Sequence, residues 1–90
     1  MSEIERESYN RVLWHSRRGM LELDLVLEPY VKFAYPGLNL AEQALYRKLL
    51  ECEDQDLFDW FMGKKVVPED DLSSIVQLIL DYKKNWREPR

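Results

Sequence analysis

The stretch that decides the fold lies about a fifth of the way along the chain and reads Arg17-Arg18-Gly19-Met20-Leu21-Glu22-Leu23-Asp24. It holds the first of only three glycines, two adjacent arginines, and acidic residues within the next helical turn. Glycine adopts left-handed backbone dihedrals without a Cβ penalty, so Gly19 predicts the end of one helix and the start of the next. Arg17 and Arg18 then fall in the last helical turn, where cations complement the helix dipole.

The residues after the glycine carry two conflicting patterns. Residues 21–28 alternate apolar and polar side chains almost strictly, which indicates a strand. The chain offers no second strand to pair with this one, and a lone strand leaves its backbone hydrogen bonds unmade. We therefore predict a helix, whose apolar row at helical spacing is Met20, Leu23, Leu27, Tyr30 and Ala34.

This second helix is predicted to be central to the fold. Leu21 and Leu25 form a second apolar row, which predicts that neighbouring elements cover the helix on more than one side. Pro29 lacks an N–H group, so we expect the helix to kink there or to restart near Glu28.

Local signals predict the other helices. Ser2 and Glu5 fit a capping box before a thinly apolar first helix over residues 3–17. The turn at Tyr35-Pro36-Gly37 precedes a helix over 40–52, which Asn39 caps and whose inner row is Ala41, Leu45, Leu49 and Cys52.

Two more helices complete the prediction. Asp54 caps a short helix over 55–62 that Gly63 ends, and Pro68 fits the first position of the last helix. The last helix has the strongest apolar stripe in the chain: Leu72, Ile75, Val76, Ile79 and either Tyr82 or Lys83. Five helices with short connections predict a small all-α bundle. We expect one domain over residues 1–88, with 83–90 as a basic tail that frays.

Composition excludes several classes of protein. Hydrophobic residues make up 46% of the chain, too large a share for a wholly disordered protein. The net charge of −4 argues against a nucleic-acid partner, since such proteins usually carry a basic face. We expect no membrane span and no signal peptide, because apolar runs are short and the N-terminus is acidic. A single cysteine permits no internal disulfide, so we expect a cytoplasmic protein.

The sequence does not predict a catalytic or metal site. Cys52 lies on an apolar row and behaves as a small hydrophobe, while His15 lies near the predicted end of the first helix. Glu22 and Asp24 are two residues apart, so on a helix they point in different directions and make a poor acid–base pair. One cysteine and one histidine cannot build a Cys/His zinc site. The acidic run lacks the spacing of a calcium loop: Glu51, Glu53, Asp54, Asp56 and Asp59.

A binding surface is the remaining possibility. Arg18 and Glu22 are four residues apart and share a helix face unless Gly19 breaks the geometry. They form either an ordinary surface ion pair worth under ~1 kcal/mol or a polar clamp on a partner. Gly19 leaves backbone that a partner can approach closely, and arginines bind carboxylates or phosphates bidentately. The candidate partner-binding residues are Arg17, Arg18, Gly19, Met20, Glu22 and Asp24.

Two blocks of the sequence resemble the FAD assembly factors of succinate dehydrogenase. Residues 18–22 match that family's signature R-G-x-x-E, and residues 49–60 resemble its second block, L-L-x-x-x-D-x-D-L-x-x-W. The length, the order of the blocks and the all-α pattern agree as well, so the resemblance covers nearly the whole chain.

The resemblance implies a maturation chaperone and not an enzyme. Family members bind the flavoprotein subunit of succinate dehydrogenase, and in bacteria that of fumarate reductase, and promote covalent attachment of FAD to a histidine of this client. FAD is then the client's cofactor, and we expect none tightly bound here. Carried over, Arg18, Gly19 and Glu22 contact the client, and we expect a monomer. Bacterial members have also been labelled antitoxins, so the alternative is a regulatory binding protein of a toxin–antitoxin pair.

Overall fold

The computed structural model describes residues 2–68 and 70–85, which form five α-helices and no strand, as the sequence predicted. A π-helical segment at Tyr30–Ala34 and a 3-10 turn at Tyr35–Gly37 connect the second and third helices. The helices are α1 (Glu3–His15), α2 (Leu21–Pro29), α3 (Leu40–Leu49), α4 (Asp54–Phe61) and α5 (Asp70–Asn85). Among the described residues, no helix is both long enough and apolar enough to cross a membrane.

Helix α1 ends two residues earlier than predicted. Ser16 is its C-cap and is buried, with its hydroxyl donating to the carbonyl oxygen of Val12 at 2.8 Å. The placement of Arg17 and Arg18 in the last turn of this helix was therefore wrong. Gly19 does have a positive φ of 78°, as predicted, but it lies in the loop between α1 and α2. Because α1 ends at His15 with Ser16 as its C-cap, the two arginines belong to the loop, and their side chains are not directed by the helix.

Helix α2 forms as predicted, but in the described part of the chain neighbouring elements cover only one side of it. Leu23, Val26 and Leu27 are buried, and the helix packs against α4 and α5. Leu21 and Leu25 are 68% and 63% exposed, so the prediction that α2 is covered on more than one side was wrong. At Pro29 the chain changes from α to π winding, which is the form that the predicted interruption takes.

Helix α3 begins as predicted and ends early. Asn39 Oδ1 accepts the Glu42 N–H at 2.8 Å, and Glu42 accepts the Asn39 N–H at 3.1 Å, so the capping box is confirmed. The helix stops at Leu49 and not at residue 52. Ala41, predicted to face inward, is exposed, and the buried residues at this helix are Tyr46, Leu49 and Leu50.

Helix α4 begins one residue earlier than predicted, and α5 begins two residues later than its predicted first position. Glu53 is the N-cap of α4, so Asp54 is its first helical residue and not its cap. Gly63 follows the helix with a φ of 73°, as predicted. Helix α5 begins two residues after Pro68 and runs through the lysines at 83 and 84, while residues 69 and 86–90 lie outside the described part of the chain. Its predicted stripe is confirmed, with Leu72, Ile75, Val76 and Ile79 buried.

Two tyrosines stand at the centre of the core. The rings of Tyr30 and Tyr46 stack with centroids 5.6 Å apart, and both side chains are fully buried. The Tyr46 hydroxyl lies 2.7 Å from Ser16 Oγ, which joins α3 to the end of α1. Burial raises the pKa of Tyr30 to about 12 and raises the pKa of Tyr46 further still. Because the buried Tyr46 bonds to Ser16, the core holds the end of α1, where the loop before α2 begins.

Candidate functional site

The loop at residues 17–20 and the first turn of α2 bring together the residues that the sequence singled out. Arg17, Gly19 and Glu22 are exposed, whereas Met20 and Asp24 are half-buried. Met20 is the N-cap of α2, and its carbonyl oxygen accepts the N–H of Asp24 at 3.0 Å. Arg18 differs from its neighbours, because its side chain points into the fold.

Arg18 binds the junction between α3 and α4. Its side chain is 14% exposed, and its Nε donates to Asp54 Oδ1 at 2.7 Å. Its Nη1 donates to the carbonyl oxygens of Leu50 and His15 at 2.7 and 3.2 Å, and its Nη2 to that of Cys52 at 2.7 Å. A guanidinium has five N–H groups, so these described contacts use four of them. The sequence allowed an Arg18–Glu22 surface pair; the structure instead pairs Arg18 with Asp54.

The charges at this junction match the helix dipoles. The guanidinium of Arg18 lies at the C-terminal end of α3, where carbonyl groups are left without helical partners. The carboxylate of Asp54 lies in the first turn of α4, at its positive end. The carbonyl oxygen of Leu50, the C-cap of α3, thus accepts from an arginine side chain in place of a following helical N–H.

Asp24 holds the same loop from the other side. Its Oδ1 accepts the backbone N–H of Arg18 at 2.9 Å. Because Asp24 belongs to the first turn of α2, this bond ties the loop to the helix that follows it. The candidate residue Asp24 therefore has an internal partner, and its position determines where Gly19 lies.

The exposed residues form one continuous surface, which we call the outer face and define as Gly19, Leu21, Glu22 and Leu25. Leu21 and Leu25 are four residues apart and Glu22 and Leu25 three apart, so their side chains are neighbours on α2. Apart from its two chain neighbours, no described residue has an atom within 4 Å of a Cβ placed on Gly19, so the space in front of its backbone is open. The outer face thus offers an acidic group and two exposed leucines on α2, and the open backbone of Gly19 in the loop before it.

A groove of about 300 Å³ runs beside the outer face, between α1 and α2. Leu13 and the exposed Trp14 form part of one wall, and Arg17 lies at the groove. Glu28 lines the other wall and pairs with Lys32 at 2.7 Å. The hydrogen bond from Lys32 lowers the pKa of the Glu28 carboxyl.

Two members of the acidic run at residues 51–59 form separate ion pairs. Asp54 binds Arg18, while the buried Asp59 accepts from Gln55 at 3.1 Å and pairs with Lys65 at 3.4 Å. Among the residues that the structure describes, no group of three His, Cys, Asp or Glu side chains is arranged to hold a metal ion. The arrangement around the loop is therefore suited to binding another molecule through shape, charge and apolar contact.

Sequence reasoning missed the bond between Arg18 and Asp54. The two residues are 36 positions apart, and each had a plausible local role, Arg18 at a helix end and Asp54 as a cap. The available signal was that they belong to the two blocks that carry the family resemblance. The structure shows that these blocks are in contact.

Comparison with known proteins gives a consistent result. A family model described as "Sdh5: Flavinator of succinate dehydrogenase" matches residues 10–83. The chain is 58% identical over 71 residues to the "FAD assembly factor SdhE" of Pseudomonas aeruginosa, covering 79% of this chain and 84% of that protein. It is 51% identical over 78 residues to the protein of the same name in Pseudomonas savastanoi, covering 87% and 93%. For Idiomarina loihiensis the identity is 40% over 79 residues, covering 88% of each chain.

Proposed function

This chain belongs to the Sdh5 family of flavinators of succinate dehydrogenase, and from that premise we propose that it is a maturation chaperone. It binds the flavoprotein subunit of succinate dehydrogenase, and that of fumarate reductase, and promotes covalent attachment of FAD. It acts in the cytoplasm as a monomer and holds no cofactor of its own, because FAD belongs to the client.

The observation that carries this proposal is the outer face. Gly19 and Glu22, the exposed members of the family signature, lie beside Leu21 and Leu25 on one surface. An exposed carboxylate and open backbone supply specific polar contacts, and the leucines supply apolar area that a partner buries. Arg17, Met20 and Asp24 border the face, and Arg17 extends it towards the groove.

A chaperone of this kind accelerates the reaction by positioning. The client's own histidine forms the bond to the flavin, so the helper supplies no reacting group. Holding the reacting atoms in a productive arrangement lowers a barrier by several kcal/mol, on the order of 7–11 for the best-oriented intramolecular cases. A small bundle with a fixed loop and a polar patch is sufficient for that task.

The experiment is complementation of a strain that lacks this protein, with covalent flavin detected by the fluorescence of the denatured flavoprotein subunit. We expect the wild-type chain to restore the fluorescent band and Glu22→Ala not to restore it, with the same helical circular dichroism. Glu7→Ala, which changes an exposed glutamate on α1, is the matched control and should restore the band.

Two outcomes contradict the proposal. If the deletion strain retains normal covalent flavin, the chain is not needed for flavinylation. If Glu22→Ala restores the band fully, the outer face is not the contact. Capture of a small membrane toxin in place of the flavoprotein subunit would favour the antitoxin alternative, which stays a prediction.

A further inference from the structure

The loop at residues 17–20 carries Gly19 onto the outer face. Gly19 has a left-handed backbone with open space in front of it, so side-chain packing does not hold it in place. Its neighbour Arg18 is held from two directions. The backbone N–H of Arg18 binds Asp24, and its side chain binds Asp54 and three carbonyl oxygens.

These bonds leave Arg18 little capacity for a partner. A bidentate clamp on a carboxylate or a phosphate needs two parallel N–H groups. Four of the five N–H groups already have acceptors in the described fold, so a clamp would require at least one internal bond to break. At least one of these acceptors, the carboxylate of Asp54 or a backbone carbonyl oxygen, would then lose its charged donor.

We propose that Arg18 and Asp54 are a positioning pair, which holds the outer face in the shape that the client binds, without Arg18 itself contacting the client. The proposal rests on the function proposed above. It assigns the two family blocks one joint task, since residue 54 of the second block fixes the residue beside Gly19 in the first. If the pair is broken, every contact residue is still present, but the loop adopts several conformations, of which only one presents these residues as the client binds them.

Rate constants distinguish a positioning role from direct contact. If the competent arrangement is populated only part of the time, the apparent Kd rises by the reciprocal of that fraction. A loosened loop therefore lowers the association rate and leaves the dissociation rate of the assembled complex nearly unchanged. Loss of a direct contact mainly raises the dissociation rate.

The experiment measures binding of the purified chain to the purified flavoprotein subunit of succinate dehydrogenase from the same genome, loaded with FAD, by surface plasmon resonance. We expect Asp54→Asn to lower the association rate about tenfold and to change the dissociation rate by less than about twofold. Hydrogen exchange of the free chain should become faster at residues 18–21. Glu22→Ala, a contact variant, should instead raise the dissociation rate.

Three controls keep the result interpretable. Asp71→Asn removes the carboxylate of another ion pair near a helix start, that of Lys48 and Asp71 at 3.5 Å, and should leave both rates unchanged. Ile75→Val lowers the melting temperature from the core, so equal loss of binding in this variant would mean that Asp54 acts only through general stability. Arg18→Ala combined with Asp54→Asn should bind no more than about twofold more weakly than Arg18→Ala alone, because both changes break one unit.

The possible failures are distinguishable. If Asp54→Asn leaves both rates unchanged, or raises the dissociation rate as Glu22→Ala does, the positioning role is overturned and the proposed function stands. If the wild-type chain does not bind the flavoprotein subunit at all, the proposed function fails and the positioning role fails with it.

Discussion

Two glycines of this chain form a matched pair for testing the outer face. Gly19 and Gly63 have φ values of 78° and 73°, and both are exposed; apart from the chain neighbours, no described residue has an atom within 4 Å of an added Cβ. Gly19 belongs to the outer face, whereas Gly63 follows α4. A substitution at either position meets the same backbone strain, so any difference in function reflects the surface on which the new side chain lies.

The expected cost in stability follows from the backbone alone. A non-glycine residue in the left-handed region costs about 1 kcal/mol. For a domain of this size, 1 kcal/mol corresponds to a fall in melting temperature of roughly 4–8 °C. Gly19→Ala and Gly63→Ala should therefore destabilise the chain equally, and urea denaturation followed by circular dichroism measures both.

The expected functional effects differ. Gly19→Arg places a long side chain on the outer face and should abolish covalent flavinylation of the client, with the helical circular dichroism retained. Gly63→Arg should support flavinylation at the wild-type level. Equal loss of flavinylation in the two arginine variants would refute a local role for Gly19, and normal flavinylation by Gly19→Arg would show that no partner approaches its backbone.

Other expected outcomes follow from burial and hydrogen bonding. Leu25→Ser should change the free energy of unfolding by less than about 0.5 kcal/mol because the side chain is exposed, yet it should weaken client binding. Val66→Ser, at another exposed apolar position, should change the free energy of unfolding equally little and leave client binding unchanged. Tyr46→Phe should cost about 1 kcal/mol in urea denaturation by removing the hydroxyl that bonds Ser16, and an unchanged midpoint would contradict that role. The pKa of Tyr30 rises from 10.0 to about 12 on folding, because burial favours the neutral phenol. The contribution of Tyr30 to the free energy of unfolding is therefore complete below pH 10 and is lost as the pH rises through 12. Denaturation at alkaline pH should show a smaller loss of stability in Tyr30→Phe, and an equal loss would exclude Tyr30 as the cause.

Much of the fold follows from short-range signals in the sequence. The helical spacing of residues 20–34, the Asn39–Glu42 capping box and the stripe of α5 each act within a few residues, and all three are confirmed. The positive φ of Gly19 is likewise a local property, because only glycine occupies that region without a Cβ penalty. The two family blocks can be identified without any structure, and the comparisons confirm the family.

Only the tertiary structure decided which way the signature residues point. An apolar residue at helical spacing is buried only if another element covers it, and within residues 2–68 and 70–85 no element covers Leu21 and Leu25. The partner of Arg18 was equally out of reach, because a bond across 36 residues depends on how α3 and α4 turn at their junction. Local rules place Arg18 at a helix end and Asp54 at a helix cap, whereas packing brings both to one junction. The sequence by itself therefore determined the helices and the family, and packing determined which residues of the signature remain exposed for a partner.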